Sequence, residues 1–218
     1  MNFKKLSVLF CSLLALTSVM AVSAAEAETV SETEAASEEE STASGADEET
    51  EYPITIQHAY GETVIESKPE RIATVGWENQ DTPLALGIAP VGVSAANYGM
   101  VTENNLHPWT DEAFQELGVD APNVFDDVDG LDFEAISDCD PDVILASYSG
   151  LTQEDYDTLS QIAPVIPYKE NAWQTTWRDQ TIENAEGMGM KAEGEAKVAE
   201  VEQLIQDKLA DYPDLKGA

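Results

Sequence analysis

The sequence predicts an α/β architecture: a single doubly wound, mostly parallel sheet followed by a long helix. Three observations carry this reading. Short apolar runs alternate with helix-length segments between residues 71 and 167. One of the runs, Val143–Ala146 (VILA), is apolar at every position, as a strand covered on both faces must be. Beyond residue 190 the alternation gives way to one amphipathic rod.

In chain order, ITI (Ile54–Ile56) and TVI (Thr63–Ile65) flank a turn containing Gly61 and read as a hairpin. RIATVG (Arg71–Gly76) reads as a buried strand, and Asn79–Gly87 as a short helix closing on its glycine. Val91–Val93 is the next strand, Trp109–Leu117 a helix, and a short strand lies near Val124. Asp132 to Ser137 forms a helix, Val143–Ala146 a strand, Thr152–Ala163 a helix and Val165–Pro167 a strand end. Thr175–Met188 is helical and ends at Gly187 and Gly189. A final helix runs from about Ala192 to Asp211. Val198, Val201, Leu204, Ile205, Leu209 and Tyr212 recur on it near the 3.6-residue period, and Pro213 stops it.

Ahead of this lies a different kind of chain. Lys4 and Lys5 precede an apolar run from Leu6 to about Val22 and small residues at 23–25, the pattern of a secretory signal peptide over residues 1–25. Residues 26–51 contain eleven acidic residues, no Lys or Arg and no aromatic, and read as a disordered acidic linker. With a signal removed, no membrane span is expected, so the mature protein is extracytoplasmic: secreted, periplasmic or attached to the cell surface.

Composition excludes several functions. The 218 residues carry a formal net charge of −33, which repels phosphate backbones and rules against nucleic acid as a partner. The two cysteines, Cys11 in the leader and Cys139, provide no disulfide framework. His58 and His107 lack metal-site spacing. DDVDGLDFEAI (Asp126–Ile136) imitates a calcium loop, but with Gly130 at the turn, apolar Phe125 and Ile136 fall at its first and last ligand positions; Asp132 is instead a helix cap. No Gly-x-Gly-x-x-Gly follows the strand ending at Gly76, and no nucleophile, base and orienter assemble. An enzyme is not expected.

What the sequence does supply is aromatic and amide residues at predicted strand ends, where ligands sit in such sheets. They are Trp77 with Glu78 and Asn79, Asn97 with Tyr98, Tyr148 with Ser149, and Trp109, Trp173 and Trp177. Ring faces beside a few polar groups suit a bulky organic ligand.

PERIATVGWENQDTPLALGIAPVGV (69–93), GLDFEAI (130–136), PDVILASYSGLTQEDYDTLSQIAPVIPY (141–168) and WQTTWRDQT (173–181) together resemble the iron–siderophore branch of the periplasmic-binding family that also serves cobalamin and haem. The resemblance implies two α/β lobes joined by a rigid helix, with a ferric siderophore held between them as transported ligand and no resident cofactor or protein metal site. On that pattern residues 52–190 are the amino-terminal ligand-binding lobe and 191–218 the interlobe helix, with the second lobe absent from this chain. Trp77, Tyr98, Trp109, Tyr148 and Ser149 would line the cleft, and Trp173 and Trp177 its rim. Glu154, ahead of Glu103, would meet an Arg of the ABC permease, and the protein would act as a monomer. Binding proteins of this kind are often lipoproteins, but Cys11 follows Phe10 too early in the leader to be an anchor. Lys and Arg are scarce, with Arg178 the one cation placed near the rim, which favours a hydroxamate or other weakly charged chelate over an anionic catecholate. Cobalamin, haem, and an acidic extracellular interaction module without a small ligand remain as alternatives.

Overall fold

A computed structural model describes residues 50–212. The predicted signal peptide, nearly all of the acidic linker, and the last six residues lie outside it. Two strands, β1 (Ile54–His58) and β2 (Gly61–Ile65), form the expected antiparallel hairpin, with Ile54 opposite Ile65. Alternate residues face inward, so Ile56 and Ile65 enter the core while Thr55 and Val64 face out.

The main sheet holds five parallel strands in the order β5-β4-β3-β6-β7. These are β3 (Ile72–Thr74), β4 (Gly92–Ser94), β5 (Val124–Phe125), β6 (Val143–Ala146) and β7 (Val165–Pro167). In β6 the side-chain period of two sends Val143 and Leu145 to one face and Ile144 and Ala146 to the other, and both faces are covered. Val143 and Leu145 pack with Ile72, Ile166 and Met188 beneath α5 (Trp177–Gly187). Ile144 and Ala146 pack with Ile136 of α3 (Phe133–Asp138) and Leu159 of α4 (Gln153–Leu159). A third cluster joins Leu84 of α1 (Asp81–Ala85) to Val93, Leu106 and Phe114 of α2 (Pro108–Glu116). The last helix, α6 (Lys191–Ala210), packs on α5, where Gly194 lies against Ala185 and the backbone of Thr181.

Most boundaries fall within two residues of those expected, and three of the differences have a clear local reason. The helix predicted to reach Ala163 stops at Leu159, because Pro164 disfavours helical backbone at the residue before it, and tight turns at Gln161 and Ile162 take over. The helix expected from Asn79 starts at Asp81, since Glu78 adopts φ 55° and the Asn79 side chain is engaged elsewhere. Thr176 rather than Thr175 is the cap of α5, accepting from the Asp179 amide, while the Thr175 hydroxyl donates to the Ser147 carbonyl. Asp132 caps α3 through the Ala135 amide, as the sequence indicated.

Candidate functional site

The chain leaves β3 toward β4 and β5 on one side, then returns to lay β6 on the other side of β3 and continue to β7. The loops following β3 and β6 therefore diverge from neighbouring carboxyl ends, the point where open α/β sheets form a crevice. At that point Gly76 has φ 80°, and a Cβ there would lie 2.8 Å from Ser149 Cβ and 2.9 Å from the Tyr148 carbonyl. Only glycine meets both demands. The two loops touch through it, and the Trp77 amide donates to the Tyr148 carbonyl at 3.1 Å.

This contact organises a run of rings. Trp173 lies edge-on to Tyr148 at 5.4 Å, Tyr148 stacks on Trp77 at 6.3 Å, and Trp77 meets Tyr98 edge-on at 5.6 Å. Tyr98 contacts His107, which stacks on Trp109 at 4.5 Å. Trp77, Tyr98, Trp109 and Trp173 are 41%, 66%, 55% and 50% exposed, so these rings are not core residues. Beside them opens a hollow of about 280 Å³, lined by Trp77, Ala95, Asn97, Leu131, Ser149, Gly150 and Trp173, with Asp127 and Asp155 on its wall. No Lys or Arg lines it. Trp173 holds φ 60°, and its indole lies where a Cβ on Gly150 would be, 2.5 Å from Nε1.

The structure thus joins Trp77, Tyr98, Trp109, Tyr148 and Trp173 into one arc. Ser149 reaches the wall, but it is 1% exposed and its hydroxyl donates to the Ala146 carbonyl. Trp177 stands apart: it lines a second hollow with Glu78, Asp81, Lys197 and Val201, and the Arg178 guanidinium covers its ring at 4.5 Å. Arg178 is further held by Glu202 at 2.5 Å. Glu154 is exposed in the first turn of α4, beside the Thr152–Asp155 capping box, and Glu103 is exposed in the loop before α2.

Sequence reasoning did not single out Asp127 or Asp155 as parts of this wall, nor the buried His107 ring that joins Tyr98 to Trp109. Asp155 was detectable as the N3 residue of a capping box, Thr152-x-x-Asp155, at the mouth of a strand-end loop. The other two depend on how a long loop folds back. Among the described residues no group of three or more His, Cys, Asp and Glu could hold a metal ion. His58 is buried between Tyr60 and Tyr156, with its Nε2 2.9 Å from the Thr63 hydroxyl, and burial lowers its pKa. Cys139 is buried against Phe125, and burial raises its thiol pKa, which suits packing rather than reaction. No described helix is long and apolar enough to cross a membrane.

A family model described as periplasmic binding protein matches residues 72–216. The chain belongs to the periplasmic binding protein family. Its members are substrate-binding proteins, not a family of enzymes. The chain is 27% identical over 220 residues to a probable siderophore-binding lipoprotein, YfiY of Bacillus subtilis, spanning 95% of this chain and 57% of the relative. Among solved structures it is similar to PiaA of Streptococcus pneumoniae TIGR4 in complex with ferrichrome (52% identity, TM-score 0.71, covering 75% of this chain and 54% of that one). It is also similar to SirA of Staphylococcus aureus complexed with staphyloferrin B (26% identity, TM-score 0.58, covering 74% and 52%). The chain spans about half the length of the relatives it matches. The doubly wound lobe and following helices are thus the fold shared with siderophore-binding members of the family.

Proposed function

We propose that this lobe grips a ferric siderophore of little or no negative charge and serves an ABC importer as its extracytoplasmic binding component, without catalysing a reaction. The observation that carries the reading is the arc from Trp173 through Tyr148 and Trp77 to Tyr98, exposed beside a hollow at the switch point of the sheet. A siderophore already satisfies its iron with its own oxygens. The protein then needs ring faces and a few polar groups, not metal ligands. Ser149 contributes shape rather than its hydroxyl, and Trp177 lies too far round the helix to belong to the first wall. The signal-like leader supports export. Glu154, exposed on the helix that follows the Tyr148 loop, is the proposed contact for a permease arginine.

Titrating the chain with ferrichrome tests both parts. Saturable quenching of tryptophan fluorescence is expected, because a ferric chelate placed beside Trp77 and Trp173 drains their excited states. Trp77→Ala should weaken binding about tenfold, the loss typical of a central aromatic anchor. Glu154→Ala should leave the titration unchanged and reduce iron uptake when introduced into a two-lobed version in cells. No saturable quenching by ferrichrome or other ferric hydroxamates would overturn the ligand reading, and undiminished uptake would overturn the docking contact.

A further inference from the structure

Behind the aromatic arc sits a buried amide that no ligand would touch. Asn79 is wholly inaccessible. Its Nδ2 donates to the Val75 carbonyl at 2.8 Å and the Tyr148 carbonyl at 3.0 Å. Its Oδ1 accepts from the Tyr148 amide at 3.1 Å, from Asn184 Nδ2 at 3.0 Å and from Gln180 Nε2 at 3.2 Å. Ser147 Oγ lies 3.3 Å from the same oxygen, and its one proton goes to Asn184 Oδ1 at 2.8 Å. The orientation of the Asn79 amide is fixed by these partners: reversing it would set an NH₂ group against the Tyr148 N–H and an oxygen against two carbonyls.

The network joins three pieces of chain: the loop carrying Trp77, the loop carrying Tyr148, and α5. Gln180 completes it by donating from the same Nε2 to the Trp77 carbonyl at 3.0 Å. Neither Gln180 nor Asn184 lines the hollow. Next to Trp77, Glu78 holds φ 55°, a left-handed backbone that a residue with a side chain keeps only where its surroundings enforce it. The restraints on that segment include the Trp77 amide bond to Tyr148, the Asp81 amide bond to the Glu78 carbonyl at 3.2 Å, the Asn79 amide, and Gln180. Losing one of them would let Glu78 relax toward ordinary backbone, and the adjacent indole would turn with it.

We infer that Asn79, together with Gln180 and Asn184 of α5, sets the spacing of Trp77 and Tyr148, and that these three amides are positioning residues for ligand binding without contacting the ligand. The role toward the ligand rests on the binding proposed above. The geometry of the wall does not. Affinity would then be tuned from α5, the helix on which α6 packs.

Gln180 is the informative residue, because it is only half-buried and its removal leaves the Trp77 carbonyl free to take up water. Gln180→Ala and Gln180→Glu, the second keeping the shape but losing the donor, would be compared with the parent chain in two measurements. Amide hydrogen exchange in the absence of ligand should quicken at Trp77 and Tyr148, whose N–H groups are bonded within the network, and stay unchanged in β6 and β7, with the melting temperature preserved. Titration with ferrichrome should show about fivefold weaker binding, the effect of one lost hydrogen bond. Unchanged exchange at those amides overturns the inference whatever the wall binds, as does acceleration spread evenly across the sheet. Quickened local exchange with unchanged affinity in a chain whose parent binds ferrichrome overturns the positioning role. A parent chain that fails to bind ferrichrome overturns the proposed function instead, and the exchange data still decide whether the three amides hold the wall.

Discussion

Glu183 is 4% exposed on α5. Its Oε1 lies 3.4 Å from Lys169 Nζ, and its Oε2 has no hydrogen-bond partner. Burial pushes the carboxyl up to about 7, against the opposing pull of Lys169, from an ordinary value of 4.5. The folded state therefore keeps a proton that the unfolded chain releases, so this group's contribution to stability is full below about pH 4.5 and is lost as pH rises through about 7. Lys169 does not reverse the sign, since half of its side chain is in water. Glu183→Gln should raise stability by on the order of 1 kcal/mol at about pH 8, with the gain vanishing near pH 4.5. Urea midpoints at several pH values would show it, and a variant equally destabilised at both ends would refute the burial argument. No such group is visible in the sequence, where Glu183 is one of many helical glutamates. Trp177 teaches the same lesson from the other side. Its place at the start of a helix near the sheet edge was readable, but the direction of its ring, toward Lys197 and Val201, was set by the later packing of α6.

At the scale of elements, the strands and helices were legible because burial imposes period two on β1 and β2, continuous apolarity on β6, and capping residues on α3 and α4. The spacing of the aromatic residues at strand ends was legible for the same reason. What could not be read was which elements meet. The α6 stripe shows this. Its period says that one side is apolar, yet only Val198 of the stripe is buried, while Leu204, Ile205, Leu209 and Tyr212 are 56%, 42%, 47% and 62% exposed. The α5–α6 contact depends instead on Gly194, a residue with no side chain to signal it. A Cβ there would fall 2.4 Å from Ala185 Cβ and 3.3 Å from the Thr181 carbonyl. Two effects oppose one another in Gly194→Ala. Helix propensity favours alanine by about 1 kcal/mol. Overpacking costs about 1–3 kcal/mol where neither neighbour can rotate away, and here both are bound to helix backbone. Overpacking should win, lowering stability by about 1 kcal/mol in urea unfolding; a more stable variant would show that α6 yields freely to α5.

Between residues 50 and 212 the molecule is acidic, and most of its few cations are already engaged. Five of the seven Lys and Arg residues between 50 and 212 pair with carboxylates: Arg71 with Asp140, Lys169 with Glu183, Arg178 with Glu202, Lys191 with Glu186, and Lys197 with Glu200. The hollow beside the aromatic arc receives none of them, and Asp127 and Asp155 stand on its wall. A negatively charged ligand thus meets both the local carboxylates and the field of a chain carrying −33. Placing like charges together in a partly desolvated site costs about 1–3 kcal/mol, or about ten- to a hundredfold in affinity. A multiply anionic ferric catecholate should therefore bind this chain at least tenfold more weakly than ferrichrome in dilute buffer, by roughly that electrostatic cost. Screening provides the diagnostic, because the Debye length shrinks from about 30 Å at 0.01 M salt to about 8 Å at 0.15 M. Catecholate affinity should rise over that range while ferrichrome affinity stays level. Fluorescence titrations of both chelates across the salt series would measure the difference, and catecholate binding that weakens with salt would mean that a cation reaches the ligand and that the acidic wall does not select it.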